Sequence, residues 1–170
     1  MYVNENGDSM ILVEQYGVPK YKQEHVSRAV KYAIKQLLPR HRNLDIEVRM
    51  TDIGDVYGYC YPEADCIVVE LSKKLHLADL YSTIFHEMVH AKQYVRKELC
   101  MEGKIKWKGQ VVRGAAKDPG GINMPYEKEA YAREMTMFIE FFESLNDNRL
   151  KGRMRYMYDY YTGVVEELNK

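Results

Sequence analysis

Five residues, His86-Glu87-Met88-Val89-His90, carry the residue types and the spacing for metal-assisted hydrolysis. On a helix, residues four apart lie one above the other on the same face, so the two imidazoles can converge on a single ion. Glu87 sits beside them, placed to reach a metal-activated water rather than the metal, as a general base must. The chain has only five histidines, and this one face takes two of them. The flanks, Asp79 to Phe85 and Ala91 to Leu99, contain no Gly or Pro, and Leu80, Ile84, Val89 and Val95 offer a buried side. The pattern therefore predicts a helix whose polar face is a zinc site, against the plainer alternative of two ordinary helical histidines.

Catalytic zinc usually takes three protein ligands and leaves one position open. His25, His41 and His76 all precede the pentapeptide, and no histidine follows His90, so a carboxylate is expected to complete the set. The segment Met124-Pro125-Tyr126-Glu127-Lys128-Glu129-Ala130-Tyr131-Ala132-Arg133 opens a second helix with glutamates. Glu127 or Glu129 is the candidate ligand. A small residue three positions on, Ala130 or Ala132, would let the two helices approach, so spacing alone leaves both open; acids also suit a first helical turn for the dipole alone.

The elements that must position these groups can be read from periodicity. The first twenty residues read as irregular apart from Met10 to Val13, with Gly17-Val18-Pro19 as a stop. Val26, Ala29, Val30, Ala33, Ile34, Leu37 and Leu38 recur at helical spacing from about Lys22 to Leu38. Leu44 to Met50 alternates apolar with charged residues, the pattern of a strand with one wet face, and Val56 to Tyr61 is rich in β-formers. After a turn at Pro62 to Asp65, Cys66 to Leu71 reads as a third strand, and its Ile67 to Leu71 could pair with an extended substrate. Lys104 to Arg113 predicts a small hairpin and Gly114 to Met124 a rim loop. Helices follow from Tyr126 to about Leu145 and from Asn148 to Leu168, the latter expected to break near Gly152 and Gly163.

Composition narrows the function classes. At 170 residues the chain fits a single domain, with residues 148–170 as a helical extension. Its 25 basic and 25 acidic residues cancel, so no global field recruits nucleic acid or an anionic membrane. Cys60, Cys66 and Cys100 are odd in number and lack CxxC spacing, which argues against a disulfide framework and a zinc ribbon. The polar N-terminus and the absence of a membrane-length apolar run predict a cytoplasmic protein. Fifteen tyrosines against four phenylalanines favour half-wet surfaces such as a binding cleft.

With these residues in hand, the chain resembles the zincin metallopeptidases. From Gly58 to Leu99, the order Gly58-Tyr59-Cys60, Ile67 to Ser72, then Thr83 to Ala91 is similar to the SprT/Spartan-like domain, in which a strand bordering the cleft precedes the HExxH helix. That family takes a third histidine after the motif and often adds a zinc ribbon, and neither occurs here. Glu127-Lys128-Glu129-Ala130 instead resembles the Glu-x-x-Ala ligand helix of gluzincins, including small phage and bacterial peptidases, and maps the ligand onto Glu127. The acid that gluzincins carry four residues later is Tyr131 here.

The resemblance implies an α+β minimal zincin: an N-terminal helix, a three-stranded, mostly antiparallel sheet, the HExxH helix, a glutamate-bearing helix and a C-terminal helix. It implies Zn2+ held by His86, His90 and Glu127, a zinc-activated water with Glu87 as general base, and a protein or peptide substrate. Tyr126, Tyr131 and Arg133 are candidate donors to the developing oxyanion. Two other functions compete: a catalytically idle zincin-fold interaction module, and a nucleic-acid-binding protein using the basic, tyrosine-rich run Arg149 to Tyr161.

Overall fold

The computed structural model describes residues 11–170, and Met10 of the expected Met10–Val13 element lies outside them. The chain is α+β. Its described elements are β1 (Ile11–Tyr16), α1 (Lys20–Leu37), β2 (Leu44–Thr51), β3 (Gly58–Glu63), β4 (Cys66–Ser72), α2 (Leu77–Val95), β5 (Leu99–Cys100), β6 (Lys106–Trp107), β7 (Gln110–Val111), α3 (Pro125–Ser144) and α4 (Asn148–Leu168).

The main sheet has the order β1-β2-β4-β3. It corrects the expected three-stranded, mostly antiparallel layout: β1 adds a fourth strand, and β1 with β2 and β2 with β4 pair in parallel. Only the β3–β4 hairpin is antiparallel, turning at Ala64-Asp65 with Ala64 at φ 47°. Two effects hid this arrangement. Glu14 and Gln15 sit in an edge strand whose residues are no more than half-buried, so β1 has almost no apolar alternation to read. Parallel pairing, moreover, is created by α1 crossing over between β1 and β2, which a local pattern cannot report. The alternation in β2 does mark one buried and one wetter face. On that outer side Arg49 bridges Glu47 and Glu63.

α2 is the central element. It packs against α1, β3, β4, α3, α4 and β5, and 15 of its 19 residues are buried. An all-round buried helix is what its mixture of apolar residues and partnered polar ones requires. Tyr81 and Phe85 meet Tyr32 and Phe141 in an aromatic cluster between α1, α2 and α3. α2 ends at Val95, short of Leu99; Lys97 takes φ 56° to turn the chain into β5. The β6–β7 hairpin turns at Lys108-Gly109, both with positive φ, and β5 joins it in a small second sheet.

α4 runs unbroken through Gly152 and Gly163, contrary to the expected interruptions. Both glycines face open space. Their entropic cost is offset by burial of Leu150, Met154 and Tyr161 and by Asp147, whose carboxylate accepts from the N–H groups of Arg149 and Leu150. No helix among the described residues is long and apolar enough to cross a membrane.

Candidate metal centre

The strand before α2 delivers the motif to the cleft with little slack. Lys22, buried on α1, donates its Nζ to the carbonyls of Lys73 and Leu75 and so fixes the loop from which α2 starts. β3 lies against α2 at Gly58, where a Cβ would come within 2.8 Å of Thr83 Cγ2 and 3.0 Å of both Glu70 O and Glu87 Oε1. Only glycine allows the strand this close to the Glu87 carboxylate. On the other side α3 begins with Pro125 at its first turn, a position where the missing N–H costs nothing. Ala130 is fully buried facing α2, whereas Ala132 is exposed. The small residue at the helix contact is therefore the one three positions after Glu127.

That register brings three ligand-type atoms together. His86 Nε2 and His90 Nε2 are 3.2 Å apart, and Glu127 Oε2 lies 3.3 Å from the first and 3.4 Å from the second. Four-coordinate zinc, with ligands about 2.0–2.1 Å away, spaces neighbouring donor atoms about 3.3–3.4 Å apart. Two imidazole lone pairs facing each other with a carboxylate repel unless a cation or a proton lies between them. The triangle thus fits a divalent ion on spacing and on donor chemistry, and the three residues are a possible ion-holding group. Glu129 is elsewhere: its carboxylate accepts from Lys92 Nζ at 2.9 Å and from Gln93 Nε2 at 2.9 Å.

The outer nitrogens of both histidines are also engaged. His90 Nδ1 donates to Gln93 Oε1 at 2.8 Å, and Gln93 Nε2 donates in turn to Tyr126 O at 3.0 Å and to Glu129. His86 Nδ1 donates to Glu134 Oε2 at 2.9 Å, while Ser82 Oγ and Tyr161 OH both donate to Glu134 Oε1. These bonds fix the tautomers with both Nε2 atoms turned to the centre. Glu134, Gln93, Ser82 and Tyr161 escaped the sequence reading. The signal for Glu134 was present: it lies seven residues after Glu127, two turns along the same face, as an acid in the otherwise apolar stretch around Met137 and Phe138. Tyr131, four residues after Glu127, lays its ring on His86 with centroids 4.6 Å apart.

Burial and these contacts set the charges. Burial opposes the His86 imidazolium, but the Glu127 and Glu134 carboxylates outweigh it and push the pKa to about 10. Burial likewise opposes the Glu127 carboxylate, yet hydrogen bonds with His86 and His90 hold its pKa at about 2. Burial raises Glu87, partly countered by His90 and His86. The Cys60 thiol beside Glu87 is pushed up by burial and by that carboxylate, which leaves it unreactive.

A pH dependence follows for protein stripped of metal. His86, raised above its ordinary 6.5, stabilises the fold fully below that pH and loses its contribution as pH climbs towards about 10. Glu127, lowered from 4.5, contributes above that value and loses its share as pH falls towards about 2. From these two groups, the thermal stability of the metal-free chain should fall as pH rises from 6.5 towards about 10 and as it drops from 4.5 towards about 2. A flat Tm from pH 6.5 to 10 would contradict the proton-sharing arrangement.

The centre opens into a cleft of about 1060 Å3, lined by Glu87 and Tyr131 among others. Of the candidate oxyanion donors, Tyr126 has its hydroxyl committed to Pro119 O, and Arg133 is exposed and absent from the lining. Tyr131 lines the cleft beside His86. Comparison with protein-family models, curated proteins and solved structures finds no match to this chain.

Proposed function

We propose that this protein is a zinc-dependent metallopeptidase, a SprT-like minimal gluzincin acting on a protein or peptide substrate. The observation that carries the reading is the triangle of His86, His90 and Glu127 donor atoms with 3.2–3.4 Å edges, set beside a buried glutamate in an open cleft. Zinc bound there would supply Lewis-acid activation of water and of a peptide carbonyl.

The remaining work belongs to the chain's own residues. Glu87, whose affinity for a proton is raised by burial, accepts a proton from the attacking water and returns it to the departing amine nitrogen. Tyr131, against His86, is placed to donate to the carbonyl oxygen as it gains charge. The substrate backbone pairs with β3, the cleft-side edge of the sheet; the earlier expectation for Ile67–Leu71 gives way, because β4 is interior and already paired on both sides.

The nucleic-acid reading is less well supported. Within Arg149–Tyr161, Arg155 stacks over Phe142 and Tyr158, Lys151 lies over Phe142, and the Tyr156 and Tyr158 hydroxyls donate to Asp79 and Glu143. Much of the apparent grip is spent within the molecule. The interaction-module alternative predicts no turnover at all.

Reconstituted protein should hold about one zinc per chain. It should cleave an unfolded protein, lose that activity to a chelator and regain it with zinc. Elemental analysis and product mass spectrometry check this; cleavage that is indifferent to chelation would overturn the metal-dependent reading.

A further inference from the structure

The floor of the cleft is a stripe of α2: Asp79, Ser82, His86 and His90 recur at three- and four-residue steps on one face. Asp79 stands seven residues before His86, about 10 Å along the helix axis. Tyr57, Tyr156 and Tyr160 line the same cleft and are 62%, 56% and 64% exposed. Tyr156 donates its hydroxyl to Asp79 Oδ1 at 3.0 Å, which leaves the carboxylate further acceptor capacity. Asp55 lies on the same rim, with Lys74 Nζ 4.0 Å away.

The charge of this wall is one-sided. The chain has 25 lysines and arginines, yet none lines the cleft among the described residues. α4 divides accordingly: Tyr156, Met157, Tyr160 and Tyr161 face the cleft, while Lys151 and Arg155 turn to Phe142 on α3. Bound zinc would offset Glu127 and Glu134, whereas Asp79, at the far end in the first turn of α2, has no lysine or arginine within ion-pair distance among the described residues. Electron-rich rings around a carboxylate attract a cation with an apolar stem and repel an acid.

We propose that the Asp79 end of the cleft selects a lysine or arginine side chain of the substrate, held between the Tyr57, Tyr156 and Tyr160 rings and the Asp79 carboxylate. At about 3.3 Å per residue of extended peptide, that side chain belongs within about three residues of the cleaved bond. This specificity rests on the peptidase reading above, and it names the substrate class of that same cleft.

The test uses zinc-loaded protein and a library of end-blocked ten-residue peptides, with cleavage sites read by mass spectrometry. In parallel, fluorescent peptides differing only by lysine, norleucine or glutamate at one position are bound to the Glu87→Gln protein and followed by anisotropy. Cleavage should be enriched for lysine or arginine on one side of the bond, and lysine should bind about tenfold more tightly than norleucine. Asp79→Asn and Tyr160→Leu should each reduce that preference severalfold with zinc content unchanged, and added salt should reduce it further. Cleavage with no basic enrichment overturns the specificity and leaves the peptidase standing. If no peptide is cleaved, the peptidase reading falls, and equal binding of the lysine and norleucine peptides then overturns the specificity separately.

Discussion

Glu87→Gln is expected to retain about one zinc per chain and to lose turnover by about 10²–10⁴-fold, the usual worth of a positioned general base. Glutamine preserves volume and one oxygen but cannot take a proton. Because Glu87 is only 6% exposed and contacts neither Glu127 nor the imidazole nitrogens by hydrogen bond, the substitution leaves the donor triangle intact. Its pKa, raised by burial, brings the group closer to the pH at which it must both accept and release a proton. Measuring zinc content and peptide cleavage on the same preparation separates the two roles. Equal turnover in the two proteins removes Glu87 from the chemistry, and lost metal in the variant moves it into the ligand set.

Glu127→Ala should lower zinc affinity far more than Glu129→Ala. The first removes one of three converging donors and exposes two imidazole lone pairs to each other, for an expected loss of at least 100-fold. The second removes a carboxylate that touches the centre only through Gln93, an effect of at most about 10-fold, the low end for groups behind a ligand. Glu129→Ala should instead show in stability, since it removes one of the two carboxylates that pair with Lys92, a cation 5% exposed, and leaves Glu98 as its partner. That cost should be about 1–3 kcal/mol. Competition against a chromophoric chelator ranks the affinities, and urea unfolding of the apo-proteins gives the stabilities. A reversed ranking would transfer the ligand role to Glu129.

The contrast between these two glutamates shows where one-dimensional information stops. Glu127 lies in the first turn of α3 and Glu129 just beyond it, and both precede a small residue by three, so spacing leaves both open and only the gluzincin resemblance favours Glu127. Their difference lies in which side of α3 meets α2, and that follows from the packing of Ala130, Met137, Phe138 and Phe141 against the shared core. Glu134 was legible in principle by its two-turn offset from Glu127, whereas Tyr161 was not. It reaches the Glu134 carboxylate from a helix that begins after Asp147, and no local spacing encodes that meeting.

What the sequence determined by itself is local: the helix of His86, Glu87 and His90, the helical runs of α1 and α3, the β-formers of β2, β3 and β4, and a carboxylate as third candidate ligand. These depend on periods of 3.6 and 2 and on the chemistry of side chains within a few turns. The tertiary structure alone decided the parallel sheet with β1 at its edge, the choice of the Glu127 side of α3, the engagement of both histidines from behind, and the basic-free tyrosine wall of the cleft. Each arises from surfaces distant in sequence that bury one another, where the interaction that wins is fixed by the whole core and not by any segment of it.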